Sequence, residues 1–72
     1  VLDHRRATAA RIVQLRKAAK ITQQGLIDAT GLQRSTIQRI EYGGVDPRLS
    51  TLARIAQAIG VPVADLIADL PE

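Results

Sequence analysis

The residues best equipped for chemistry lie in one stretch, "GLQRSTIQRIEYGG", from Gly31 to Gly44. It holds Gln33, Arg34, Ser35, Gln38, Arg39 and Tyr42, all hydrogen-bonding side chains, with isoleucine at positions 37 and 40. On a helix advancing about 100° per residue, Arg34, Ser35, Gln38, Arg39 and Tyr42 share an arc of about 140°. Thr36, Ile37, Ile40 and Glu41 take the other side. An arginine fork matches guanine O6 and N7, and a glutamine amide matches adenine N6 and N7. Serine reaches phosphate or base. No aspartate or glutamate stands on that arc to repel phosphate. The same residues also suit a plain solvated helix face. By themselves they leave the two readings level.

Catalytic chemistry finds no comparable support. His4 is the sole histidine and sits near the N-terminus, where it reads as a solvated surface residue. The chain has no cysteine, so disulfides and thiolate metal sites are excluded. No metal-ligand cluster, nucleophile with a base, or phosphate-cradling glycine loop is visible. No cofactor, no metal and no enzymatic activity are expected.

The arc has to be presented by something, and apolar residues recur at helical spacing along the chain. The pattern predicts five short helices, an all-α fold. The first runs from about Asp3, its N-cap, to Ala19, with Ile12, Leu15 and Ala19 on one face. Thr22 caps a second helix, Gln23 to Thr30, with Leu26, Ala29 and Thr30 inward and Gly31 as its C′ glycine. The third runs from Arg34 to Tyr42 and stops at Gly43-Gly44. The fourth, Leu49 to Ile59, has a stripe of Leu49, Leu52, Ile55, Ala56 and Ile59 and closes at Gly60. A fifth, Pro62 to Asp69, has Pro62 in its first turn and Val63, Leu66, Ile67 and Leu70 as its apolar set.

Seventy-two residues form a single domain with one small core. Val1 is not an initiator residue, so an upstream segment is expected. No apolar run approaches the roughly 20 residues of a membrane span, and the charged N-terminus lacks a signal-peptide core. A cytosolic protein without membrane contact is expected. The net charge is +3 and unevenly spread. Residues 1–20 carry six arginines and lysines against Asp3 alone, a net of +5; residues 21–72 carry four arginines against six acids, a net of −2. A basic half suits a polyanion partner, but on charge alone a set of solvated helix faces is the better account.

A short helix, a three-residue turn with glycine and a second helix match a helix-turn-helix unit. "RIVQLRKAAKITQQGLIDATGLQRSTIQRIEYGG" with "DPRLSTLARIAQAIGVPVADLI" then resembles the Xre/Cro-type helix-turn-helix family, to which the lambdoid phage repressors belong. The resemblance covers about residues 11–67. It implies a lambda-repressor-like domain that binds double-stranded DNA by sequence as a transcriptional regulator, its third helix in the major groove. Gln33, Arg34, Ser35 and Arg39 would face base edges, with Gln38 and Tyr42 further along the same side. Thr22 and Gln23 at the start of helix two would hold a phosphate, as helix N-termini do. Arg48 in the loop after helix three would meet another, with Thr36 and Tyr42 as further backbone contacts; a local capping role fits Thr36 equally. Arg16 and Glu41 match a largely buried salt bridge in relatives. A homodimer through helix five and the tail "VADLIADLPE" is the implied assembly.

Three positions depart from the family pattern. Gly25 stands where a glutamate would complete a capping box. Ile27 replaces a tightly packed alanine, and Gln33 replaces the serine or threonine cap of helix three. Two rival functions stay in view. Some domains of this fold bind proteins, as antitoxins or accessory domains. The basic first helix would also suit non-specific DNA or a membrane surface.

Overall fold

The computed structural model describes residues 4–67. They form five helices: α1 (His4–Ala18), α2 (Gln23–Thr30), α3 (Arg34–Tyr42), α4 (Leu49–Ile59) and α5 (Val63–Leu66). No strand occurs among the described residues. α1 packs on α3, α4 and α5; α2 packs on α3 and α4; α4 packs on α5. The fold class is the all-α arrangement that the apolar spacing predicts. No helix is long and apolar enough to cross a membrane.

Each helix contributes one fully buried side chain to a single core: Ile12, Leu26, Ile37, Ile55 and Leu66. Ile40, Leu52, Ala56 and Ile59 complete it. The core is wholly aliphatic, so its stability comes from many small apolar contacts spread over all five helices.

The helix ends explain how so short a chain turns so often. α2 begins at Thr22, whose Oγ1 accepts the Gly25 N–H at 2.9 Å. Half of the capping arrangement therefore survives without the glutamate. A Cβ on residue 25 would stand 3.2 Å from Thr22 Oγ1 and 3.3 Å from Ile21 Cγ2, so glycine relieves a tight entry. Gly31 ends α2 at φ 73°, its N–H donating to Ile27 O. The Thr30 hydroxyl, buried, donates to Leu26 O at 2.8 Å and accepts the Leu32 N–H at 3.2 Å. These bonds fix the three-residue turn into α3. Ile27 is half-buried against the core.

Several expectations need correction. The inward face of α1 is Thr8, Ala9, Ile12 and Arg16, with Leu15 half-buried against the core as expected, and Ala19 is exposed beyond the helix end. Small Ala9 lies near Gly43 at the end of α3, and hydrophobicity alone does not mark Thr8 as buried. Ala29 faces solvent. Leu49 is 69% exposed, because the first residue of α4 projects off the end of the stripe. Pro62 is the N-cap residue of α5, one position before the helix. The expected cap Asp3, and Asp69, Leu70 and the end of the tail, lie outside the described residues. α1 ends in a way the sequence does not announce: Lys20 adopts φ 60°. The Ile21 N–H bonds Arg16 O and the Lys20 N–H bonds Lys17 O, a Schellman ending with lysine in the left-handed position.

Candidate nucleic-acid interface

α3 is held from three directions. Ile37 and Ile40 sink into the core. At its end, the N–H groups of Gly43 and Gly44 bond Ile40 O and Arg39 O. Gly43 has φ 84°, and a Cβ there would lie 3.3 Å from Arg6 Cγ and 3.4 Å from Arg6 Cα. Both backbone angle and the nearness of α1 therefore require glycine at this point.

The third anchor is polar. Arg16 Nε donates to Glu41 Oε2 at 2.8 Å and Arg16 Nη2 to Glu41 Oε1 at 3.0 Å. Arg16 Nη1 donates to Ile21 O at 2.8 Å, and Gln23 Nε2 donates to Glu41 Oε1 at 3.2 Å. The two charged side chains are only 10% and 7% exposed. Among the described residues no buried side-chain polar atom lacks a partner. A two-pronged arginine–carboxylate bond of this kind is directional as well as strong. It explains why Glu41 stands beside isoleucines.

With the inner side fixed, the outer side is left open. Gln33, Arg34, Ser35, Gln38 and Arg39 are all exposed, and Tyr42 is 88% exposed. Among the described residues, Arg34, Arg39 and Arg48 make no ion pair or side-chain hydrogen bond. Gln33 occupies the N-cap position of α3 yet makes no side-chain capping bond. Its amide is therefore uncommitted, like the others on this face.

The flanks differ from residue to residue. Thr22 is exposed at the mouth of α2; its oxygen accepts the Gly25 N–H while its proton remains available. Gln23 is half-buried at the start of α2, and its side-chain amide donates to Glu41 Oε1 at 3.2 Å. Arg48 is exposed at the N-cap of α4 without a capping bond. Between α3, the loop and α4 lies a cleft of about 210 Å³, lined by Thr36, Arg39, Ile40, Val45, Pro47, Arg48 and Thr51. Half-buried Thr36 thus lies on the Arg48 side of α3, away from the middle of the open arc. Asp46 is exposed in the same loop.

One positioning contact escapes sequence reasoning. Arg11 Nε donates to Asp65 O at 2.8 Å and so ties α1 to α5. A backbone acceptor 54 residues away leaves no sequence signal. Thr30 is more legible, since a hydroxyl directly before a turn glycine commonly bonds the preceding turn of helix.

Comparison with known proteins agrees with this geometry. The helix-turn-helix family model matches residues 12–66. The immunity repressor protein of Bacillus phage phi105 is 37% identical over 59 residues, covering 82% of this chain and 41% of that protein. The cryptic phage CTXphi transcriptional repressor RstR of Vibrio cholerae is 30% identical over 61 residues, covering 85% of this chain and 55% of that one. The chain thus spans about half the length of these relatives. Among solved structures, the restriction-modification controller protein C.AhdI of Aeromonas hydrophila superposes with a TM-score of 0.82 at 26% identity. That match covers 86% of this chain and 94% of the other. With its matched core, its α2–turn–α3 unit and its open α3 face, the chain belongs to the helix-turn-helix family of lambdoid repressor-like DNA-binding domains.

Proposed function

We propose that this chain is the DNA-reading domain of a transcriptional repressor. One observation carries the reading: α3 is locked by Ile37, Ile40 and Glu41, while the arc left open holds uncommitted arginine and glutamine side chains. A face held still by the core and unpaired in the free protein is already organised for hydrogen bonds to base edges. α3 enters the major groove, with Gln33, Arg34, Ser35, Gln38 and Arg39 directed at base edges. The opening N–H groups of α2 with Thr22, and Arg48 with Thr36 and Tyr42, contact phosphates on either side.

Two copies would act together on an inverted repeat, with α5 and the C-terminal tail between them. Ile67, exposed where α5 ends, supports that surface. The reaction is binding alone; the bound domain would act by occupying its operator.

Selection of bound duplexes from a random pool tests the proposal. An enriched motif, arranged as an inverted repeat, is the expected result. A pool that enriches no motif would sink the reading and favour the protein-interaction role found in some domains of this fold.

A further inference from the structure

We infer that Gln23 is a positioning residue for base reading, acting through Glu41 to fix the rotation of α3. The inference rests on the DNA-reading role proposed above. Its basis is the shared carboxylate. Glu41 Oε1 accepts from Arg16 Nη2 on α1 and from Gln23 Nε2 on α2, at 3.0 and 3.2 Å. Arg16 Nε holds the second oxygen at 2.8 Å.

Arg16 alone pulls Glu41 toward α1. Gln23 adds a second direction, so the carboxylate is fixed between two helices. Glu41 also lies next to Arg34 in angle around α3, about 20° away on a 100° wheel, so what holds one sets the other. A helix free to turn by about 10° moves side-chain tips some 6 Å from its axis by about 1 Å. Recognition geometry tolerates only about 0.5 Å. Loss of the Gln23 bond therefore acts on the arginine fork without removing any charge from the interface.

The consequence separates this role from a phosphate contact. Gln23→Ala should lower affinity for the selected operator about fivefold to tenfold, as a weakened base contact does. Affinity for unrelated duplex DNA should change by less than about twofold, whereas loss of a phosphate contact would weaken binding to both alike. Gln23→Met, which keeps the length and apolar stem but not the donor, should behave the same way and guards against a folding defect in the alanine variant. Both variants are first melted, by far-ultraviolet circular dichroism, to establish that they are folded at the assay temperature.

Equal losses on operator and unrelated DNA would mark Gln23 as a phosphate contact and overturn the inference. Unchanged operator affinity in both variants would overturn it too. A wild-type chain that selects no sequence would instead overturn the DNA reading, and this inference with it.

Discussion

Removing the Glu41 carboxylate tests the polar anchor most directly. In Glu41→Ala, Arg16 Nε and Nη2 both lose their acceptors, while Nη1 keeps Ile21 O. The guanidinium lies in a residue only 8% exposed. Stranding one member of a buried pair costs about 3–5 kcal/mol. A domain of this length holds roughly 4–11 kcal/mol in all, at about 0.05–0.15 kcal/mol per residue. Each kcal/mol moves the melting temperature of so small a domain by about 4–8 °C, so Tm should fall by roughly 12–40 °C. Far-ultraviolet circular dichroism during thermal and urea unfolding measures the loss. The double variant Arg16→Met with Glu41→Leu supplies the contrast. Replacing both partners by apolar groups of similar size removes the stranded charge and should recover most of the stability. Half-buried Gln23 can then turn its amide to water. A Glu41→Ala variant melting within a few degrees of wild type would refute the anchor. So would a double variant no more stable than the single one, since stranding would then not be the cause.

Four other outcomes follow from named contacts. Arg34→Ala should cost about 1–3 kcal/mol of operator binding and relax preference at one base pair; an unchanged preference profile would remove it from the reading set. Arg48→Ala should weaken binding on all sequences alike and reduce the salt slope by roughly one, as measured by titrations at several salt concentrations. Lys20→Gly should raise stability by about 0.5–1 kcal/mol, because glycine takes a φ of 60° without the Cβ clash. Gly43→Ala should lower Tm by more than that gain, since the added Cβ meets both a left-handed backbone and Arg6 of α1.

Legibility along the chain follows physical cause. The start of α2 and the ends of α2, α3 and α4 can be read from sequence because Thr22, Gly31, Gly43 and Gly60 mark them chemically. The open arc of α3 is legible for the same reason, as helical spacing alone sorts Arg34 and Arg39 from Ile37 and Ile40. α1 is less so. Its buried face includes two polar residues, Thr8 and Arg16, so hydrophobicity points elsewhere. Its ending puts lysine where glycine is the usual marker. Gln23 is legible only in part. Position along the chain gives its place at the mouth of α2, but only the packed structure shows which way its amide turns.

The chain has one aromatic residue, Tyr42, with no tryptophan or phenylalanine, and its ring is 88% exposed on the recognition helix. The aliphatic core is thus optically silent. Intrinsic fluorescence should change little on unfolding, since the fluorophore is already in water when the domain is folded. It should respond when another molecule covers the α3 face. The protein carries its own reporter, placed on the surface proposed to read DNA.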